Sequence, residues 1–364
     1  MIDTIKIIVM NEEREIPKGM SLLELSREYQ DRFQYPIIIA KVNDSYQELR
    51  EKIIKPVDIT FFDLTSRMGN RIYVNGLVFL NIYAIKKLWG NEANIVVQHS
   101  IDKGIYIETN FELTEQKIRQ LEQKMHELVE QDLEIARVNV SRRDAIDYFK
   151  KVKDKAKEGI MKYNTNTYIT LYRLGNLYNY FYNYMPVDTT GLNHFALTYL
   201  NKTGYVLRFP TVYLNKQIKE YEHHANMFEV FKECREWAKV MNIQNVVELN
   251  DVVAKGRIGD LIRIDETLQS NRLLQVAKEI FQKKDQLKLI LIAGPSSSGK
   301  TTTTNKLCMY LKSFGLNPKM LSMDDYFVER DDTPLDEDGN YDYESLRAVD
   351  LDLFNQQIEQ LLKQ

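Results

Sequence analysis

The sequence has 364 residues, is 44% hydrophobic and 28% charged, and carries a formal net charge of −3; this length predicts two or three soluble domains. The near balance of charge argues against general electrostatic capture of nucleic acid or of an anionic membrane. No stretch approaches the roughly 18 consecutive apolar residues of a membrane span, and two cysteines, Cys234 and Cys308, are too few for a disulfide framework. We therefore expect a reduced, cytoplasmic protein with no membrane association.

Residues 1–65 are predicted to form a small α+β unit. Ser21-Leu-Leu-Glu24 is a capping box, in which the Ser21 hydroxyl accepts from the Glu24 amide and the Glu24 carboxylate accepts from the Ser21 amide. Asn43-Asp44 predicts a turn. The apolar pattern predicts strands over 5–9, 13–16, 36–42 and 57–62 and a helix over 22–30.

This order of hairpin, helix and further strands, with Lys41-Val42-Asn43 before a turn, resembles the TGS domain. The TGS domain is a β-grasp module of threonyl-tRNA synthetases and of some GTPases. The resemblance implies that residues 1–65 form a TGS-like β-grasp domain.

Residues 66–225 resemble the editing region that follows the TGS domain in threonyl-tRNA synthetases. A helix ending near Trp89 precedes a strand, a glycine turn and a strand over 95–107. Thr114 is expected to cap a long helix whose apolar residues keep helical spacing, and Ser141-Arg-Arg-Asp144 is expected to open a helix that runs to about residue 150. Thr189-Thr190-Gly191 matches the last part of the editing region. The resemblance implies an editing-like α+β domain.

The zinc ligands of that family have no counterpart here. Threonyl-tRNA editing sites use an H-x-x-x-H pair and a later C-x-x-x-H pair, which together are typical of a zinc site. Alignment places Asn75 and Phe79 at the first pair, and Tyr182 and Pro186 at the second. We expect no zinc and no deacylation chemistry, with the scaffold retained. His223-His224 is interpreted as helix surface, with a metal site as the alternative.

An aromatic stretch within this region is interpreted mainly as sheet core, with base stacking by an RNA as the alternative. The aromatic stretch contains Tyr168, Tyr172, Tyr178, Tyr180, Phe181, Tyr182 and Tyr184.

Residues 226–285 are charged and helical in pattern, which predicts a helical connector.

A phosphate-binding motif follows the connector. The apolar run 287–293 predicts a buried parallel strand, and a helix is predicted from about Lys300 to Ser313. Between them, Gly294-Pro-Ser-Ser-Ser-Gly-Lys-Thr301 fits G-x-x-x-x-G-K-[ST], the P-loop; the alternative is a chance match in a Ser/Gly loop.

The P-loop spacing has a physical reason, because Gly294 and Gly299 let successive amides point into one concavity at the positive end of a helix. Lys300 is expected to reach the β- and γ-phosphates of ATP, and the Thr301 hydroxyl is expected to bind Mg²⁺. The remaining predicted nucleotide contacts are Ser296, Ser297, Ser298 and Thr302.

A second motif places a carboxylate near this loop. A strand is predicted over 319–322, and Asp324 follows its carboxyl end, where ligands bind in open α/β sheets. A carboxylate there can accept the proton of an attacking hydroxyl or hold Mg²⁺ through water. The alternative is that Asp324 and Asp325 are turn residues.

The P-loop, Ser322-Met-Asp-Asp-Tyr-Phe327 and Asn340-Tyr-Asp342 together resemble the uridine kinase and phosphoribulokinase family. The resemblance implies that Asp324 is the catalytic base for a sugar hydroxyl, that Asp342 holds ribose hydroxyls and that Tyr341 packs by the nucleoside. Tyr326 is placed with them as a substrate-binding residue. The family pattern usually continues with a proline, where this sequence has Tyr343.

Residues 286–364 are expected to form only the N-terminal portion of an α/β P-loop kinase domain. A doubly wound kinase needs about five parallel strands, and 64 residues follow Lys300. We expect a truncated form of a longer kinase, whose uncovered sheet is partly disordered, swapped or covered by a second copy in a homo-oligomer.

These observations predict an ATP- and Mg²⁺-dependent nucleoside kinase of the uridine type, which transfers a phosphoryl group to a ribose 5′-hydroxyl. The alternative is a nucleotide-sensing module that binds RNA or tRNA through its N-terminal half and does not catalyse a reaction.

Overall fold

A computed structural model describes residues 3–211, 217–336 and 339–363 of the chain. The architecture is mixed α+β and divides into two units, Met1–Asp251 and Val252–Gln364. All strands of the described residues belong to the first unit. The division between the units falls inside the predicted connector, and the bounds of the four predicted domains stay predictions.

The N-terminal part of the first unit is a five-stranded sheet covered by one short helix. The strand order is β2-β1-β5-β3-β4, with β1 and β5 parallel and the other pairs antiparallel. Val9, Leu25 and Ile59 are fully buried between the sheet and the helix. The elements are β1 (Thr4–Val9), β2 (Glu12–Pro17), α1 (Leu22–Arg27), β3 (Ile39–Val42), β4 (Ser45–Glu48) and β5 (Asp58–Phe62).

The capping box and the turn that the sequence predicts in this part are confirmed. The Ser21 amide donates to Glu24 Oε2 at 2.8 Å, and the Glu24 amide donates to Ser21 Oγ at 3.1 Å. Asn43 has a φ of 52°, as a tight turn requires. Two predictions are corrected, since α1 ends at Arg27 and the strand predicted over 36–42 begins at Ile39. The sequence did not predict β4, because its residues are polar and do not alternate with apolar ones.

The rest of the first unit is built on two antiparallel sheets and a buried helix. Helix α2 packs Phe79, Leu80 and Ala84 into the main hydrophobic core. The four-stranded sheet has the order β11-β12-β7-β6, and the three-stranded sheet has the order β10-β9-β8. The elements are α2 (Arg67–Trp89), β6 (Ile95–Ile101), β7 (Gly104–Thr109), α3 (Glu115–Val129), β8 (Ile135–Ser141), α4 (Arg142–Lys151), α5 (Lys155–Tyr163), β9 (Tyr168–Leu174), β10 (Leu177–Asn179), β11 (Ala196–Asn201) and β12 (Gly204–Arg208).

The helix and hairpin predictions for 84–150 are confirmed. Thr114 caps α3, because its hydroxyl accepts from the Lys117 amide at 3.2 Å. The turn between β6 and β7 uses Asp102 and Lys103, whose φ angles are positive. The predicted glycine turn is therefore corrected, since Gly104 is the first residue of β7. Ser141 caps α4 through the Asp144 amide, although the Asp144 carboxylate accepts from the Ser141 hydroxyl rather than from its amide.

The Thr189-Thr190-Gly191 motif connects the two parts of the first unit. The buried Thr189 hydroxyl accepts from the Leu133 amide at 2.9 Å. Gly191 has a φ of 78°, and a Cβ there would lie 2.4 Å from Pro36 Cγ. Glycine is therefore required both by the backbone conformation and by the close approach.

Three helices follow, and the prediction of a mostly helical segment is confirmed. They are α6 (Ala225–Val240), α7 (Val246–Ala254) and α8 (Ile258–Gln282). No described helix of the chain is long and apolar enough to cross a membrane.

The second unit has a small helical core. Ala277 of α8 packs against Leu307 and Leu311 of α9, and the rings of Phe281 and Phe314 lie 5.4 Å apart. The elements are α9 (Lys300–Ser313) and α10 (Leu351–Leu362), with 3₁₀ helices at Met323–Tyr326, Arg330–Asp332 and Leu346–Ala348.

The strands predicted over 287–293 and 319–322 do not form, so the α/β fold expected here is corrected. Both runs lack regular structure, and Leu291 is 79% exposed. A parallel strand is stable only when neighbours pair with it and helices cover both faces. Because neither run has a paired neighbour within the described residues, the apolar sequence alone does not produce a sheet.

Candidate functional site

The P-loop sequence forms a turn directly before helix α9. Ser297 and Gly299 have φ angles of 59° and 84°, and Gly299 is the N-cap of the helix. Left-handed residues alternating with right-handed ones turn successive amides toward one side, which is the geometry of an anion nest. The first turn of α9 adds its free amides to this concavity.

Lys300 lies over its own loop. Its Nζ donates to the carbonyl oxygens of Gly294 at 2.9 Å and of Pro295 at 3.1 Å. A Cβ at position 294 would lie 2.8 Å from Ser298 Oγ, so the loop is tight at this glycine. The residues of the loop are exposed, including Ser296, Ser297, Ser298, Thr301 and Thr302.

These donors fit a polyphosphate. The loop presents amides and an exposed ammonium group, and the exposed hydroxyl of Thr301 is of the type that binds Mg²⁺ in such loops. No described carboxylate forms an ion pair with Lys300, whose ammonium group donates to loop carbonyl oxygens instead.

Asp324 is exposed in a 3₁₀ helix rather than at the end of a strand. Its amide donates to Ser322 Oγ at 3.3 Å. Among the described residues, no hydrogen bond or ion pair connects Asp324 with Lys300 or Thr301. The structure therefore places the carboxylate in the same unit as the loop, and its catalytic and metal roles stay predictions.

Tyr326 is a packing residue in this arrangement. It is 5% exposed, its hydroxyl donates to Gln357 Oε1 at 2.6 Å, and its ring contacts Phe354 edge-on at 5.1 Å. These contacts hold the 3₁₀ helix against α10. The predicted role in substrate binding stays a prediction.

Tyr341 and Asp342 lie in the loop before α10. The guanidinium of Arg330 is 5.8 Å from the centre of the Tyr341 ring, and Arg330 Nε donates to the Tyr343 hydroxyl at 3.3 Å. Asp342 Oδ1 accepts from the Glu344 amide at 3.1 Å. The structure keeps an aromatic ring and a carboxylate side by side, and their nucleoside-binding roles stay predictions.

The positions aligned with the editing-site ligands belong to segments that contact each other in the first unit. Asn75 Nδ2 donates to the Tyr184 carbonyl at 3.2 Å, and the rings of Phe79 and Phe181 lie 5.3 Å apart. The residue types at these positions, which include Tyr182 and Pro186, do not form a zinc-binding set. Across the described residues there is no group of three or more His, Cys, Asp or Glu that could hold a metal ion.

The aromatic stretch is only partly core. Tyr172 is buried, whereas Tyr168 and Tyr182 are 69% and 75% exposed. The interpretation as sheet core is therefore corrected for these two residues and for Tyr184, which is 38% exposed.

His223 and His224 precede α6, so their interpretation as helix surface is corrected. His223 contacts the Tyr221 hydroxyl, and His224 lies 3.5 Å from Asp102.

A buried ionic cluster was not predicted. Glu48 of β4 has no exposed surface and lies 2.7 Å from Arg50 Nε. Its Oε1 accepts from the Tyr172 hydroxyl at 2.5 Å and from the Met185 amide at 2.9 Å, and Arg137 lies 3.5 Å from its Oε2. The sequence offered no signal, because the partners are separated by up to 137 positions.

Comparison with known proteins finds threonine–tRNA ligases. The chain is 23% identical to that of Syntrophomonas wolfei over 139 residues, which cover 38% of the chain and 22% of the relative. It is 27% identical to the enzyme of Geobacillus sp. WCH70 over 169 residues, which cover 46% of the chain and 26% of the relative. It is 24% identical to the enzyme of Finegoldia magna over 166 residues, which cover 45% of the chain and 26% of the relative.

The chain thus spans about a quarter of the length of these curated relatives. No protein-family model matches it. These relatives confirm that part of the chain resembles threonyl-tRNA synthetases. The resemblance to nucleoside kinases depends on residues 294–301 and 322–342 alone.

Proposed function

We propose that the chain is a nucleotide-binding phosphotransferase of the nucleoside kinase type, with the P-loop before α9 as its ATP site. The observation that supports this is the G-x-x-x-x-G-K-T sequence in a turn at a helix N-terminus, with Ser297 and Gly299 in left-handed conformations. The residues named for the proposed transfer all belong to the second unit.

In this proposal each residue has one task. The amides of 296–300 and the Lys300 ammonium hold the phosphates, so that negative charge on the γ-phosphate is stabilised as it is transferred. The Thr301 hydroxyl holds Mg²⁺, which when bound neutralises the β- and γ-phosphate oxygens. Asp324 accepts the proton of a ribose 5′-hydroxyl, and Asp342 and Tyr341 position the nucleoside.

The ATP site is tested by calorimetric titration of the chain with Mg-ATP and Mg-ADP. We expect Lys300→Ala to weaken binding about tenfold to a hundredfold, because a charge-assisted hydrogen bond to phosphate contributes about 1.5–3 kcal/mol. Lys312→Ala is the matched control, since Lys312 is exposed in the last turn of the same helix. Equal affinities for the two variants, or no binding by the unchanged chain, would contradict the proposal.

The transfer itself is tested by nucleoside-dependent release of ADP from Mg-ATP, with a panel of nucleosides. We expect Asp324→Asn to lower kcat about 10²- to 10⁴-fold, as loss of a positioned base does, while leaving the affinity for Mg-ADP within a factor of about two. ADP release that is independent of nucleoside would contradict the kinase assignment without contradicting the ATP site.

A further inference from the structure

A lysine-rich cleft lies in the first unit, at the end of α2. It has a volume of about 560 Å³ and is lined by the last turns of α2 and α4, the segment before β6, the start of α5, and β10. This volume is in the usual range of small-molecule sites.

The cleft is positively charged in a chain whose net charge is −3. Its lining carries only two carboxylates, Glu92 and Asp154, so the local net charge is about +3. Such an excess of one sign in a concave site concentrates counter-ions of the other sign. The lysines are Lys86, Lys87, Lys151, Lys153 and Lys157.

Three of the lysines have structural partners. Lys86 Nζ donates to the Asn91 carbonyl and to Asn94 Oδ1, both at 2.6 Å. Lys153 lies 3.1 Å from Glu92, and Lys157 lies 2.9 Å from Asp154. The two ion pairs offset the charges of Lys153 and Lys157, so the net positive charge of the lining comes from Lys86, Lys87 and Lys151. Burial lowers the pKa of Lys86, because it disfavours the charged ammonium group. A bound anion would stabilise that charged form.

Lys87 and Lys151 are exposed and form no ion pair with a described carboxylate. Each is in the last turn of its helix, where a lysine also offsets the helix dipole. That role explains one lysine on one helix. It does not explain why two helix ends and the start of a third bring their ammonium groups to the same cleft.

One wall of the cleft is aromatic. The rings of Tyr148 and Tyr178 meet edge-on at 5.3 Å, and the Tyr148 hydroxyl accepts from the Tyr178 amide at 2.9 Å. Tyr83 also lines the cleft, with Lys87 Nζ 5.1 Å from the centre of its ring. Aromatic surface beside ammonium groups suits a ligand that carries both a planar ring and phosphate.

We propose that this cleft binds the phosphate of a nucleotide, with Lys87 and Lys151 as the phosphate contacts and the Tyr148–Tyr178 wall beside the base. The nucleotide is either free or part of an RNA strand, since both present the same chemistry. This site is independent of the P-loop and of the kinase proposal.

The test uses the full chain carrying Lys300→Ala, so that the P-loop contributes little to phosphate binding. Binding of AMP and of an oligouridylate of about 12 nucleotides is measured by calorimetry and fluorescence anisotropy at about 50 mM salt, then at higher salt. The variant is Lys87→Gln with Lys151→Gln. The charge-matched control is Lys6→Gln with Lys55→Gln, both exposed residues of the N-terminal part.

We expect the cleft variant to weaken binding about tenfold or more, and the control to change it by less than about twofold. Binding of AMP identifies a free nucleotide as the source. Binding of the oligonucleotide alone, with a log–log salt slope of about −0.7 for each phosphate contacted, identifies RNA. Equal effects of the two double variants, or no binding of either probe, would overturn the proposal.

Discussion

At the scale of single residues, the Glu48 side chain joins segments of the first unit that are far apart in sequence. Its carboxylate is fully buried and contacts Arg50, Arg137, Tyr172 and the Met185 amide. Arg50 also donates to the carbonyl oxygens of Ile135 and Pro186. These contacts join the N-terminal sheet to the rest of the first unit. Burial and the Glu48 carboxylate both raise the pKa of Tyr172, so its hydroxyl remains a donor.

We expect Glu48→Ala to lower the free energy of unfolding by about 3–5 kcal/mol, because it leaves buried donors without their acceptor. Glu48→Gln should cost less, since the amide oxygen can still accept from Tyr172. Glu51→Gln is the control, because the Glu51 side chain is partly exposed and pairs with Arg137 rather than with the buried Glu48 carboxylate. Urea denaturation followed by circular dichroism measures all three, and a loss below about 1 kcal/mol for Glu48→Ala would contradict the cluster's structural role.

At the scale of secondary-structure elements, α6 packs against the sheet through aromatic contacts. His99 of β6 stacks on Phe231 at 4.0 Å, and Tyr106 meets Phe228 edge-on at 5.3 Å. Arg235 of the same helix pairs with Glu108 of β7. Burial, and to a smaller extent the charge of Arg235, lowers the pKa of His99 below its usual 6.5.

Packing of α6 should therefore weaken in acid. His99 binds its proton more readily in the unfolded chain, so its contribution is present above pH 6.5 and is lost as the pH falls through the lower, folded pKa. We expect the stability of the unchanged chain, measured against that of His99→Gln, to decrease between about pH 7.5 and pH 5. A constant difference in stability between the two chains across this pH range would show that protonation of His99 is not coupled to the packing of α6.

At the scale of the whole molecule, the two units differ in how much apolar surface they cover. The first unit buries a large core around α2, whereas the helical core of the second unit centres on Ala277, Leu307 and Leu311. The run 287–293 stays unpaired and exposed in the second unit. Segments with few buried contacts and solvent-exposed amides open with little free energy.

Hydrogen exchange should show this difference directly. The Leu287 amide donates to the Lys283 carbonyl oxygen at 2.9 Å. We expect the other amides of 287–293 to exchange with little protection, because no described ladder hydrogen bond holds them. The amides of β9, which pairs with β8 along its whole length, should be strongly protected. Mass spectrometry of peptic fragments measures both segments in one sample. Protection of 287–293 equal to that of β9 would show that the strand predicted from the sequence does form in solution.

Short-range signals were predictable from the sequence. The Ser21–Glu24 capping box, the Thr114 cap and the start of α9 at Lys300 each depend on residues within about one helical turn. The P-loop turn was predictable for the same reason. Helix α3 was predictable because Ile118, Leu121 and Met125 keep helical spacing and are buried.

The sequence by itself thus determined the caps, the hairpin turns, the amphipathic helices and the turn that precedes α9, since each depends on neighbouring residues. Only the tertiary structure decided which polar groups are buried together, as with Glu48 and Tyr172, which are 124 positions apart. It also brought the lysines of α2, α4 and α5 to one cleft, and it left 287–293 without a sheet. Pairing and burial are properties of distant partners, and an apolar run becomes a strand only where such partners exist.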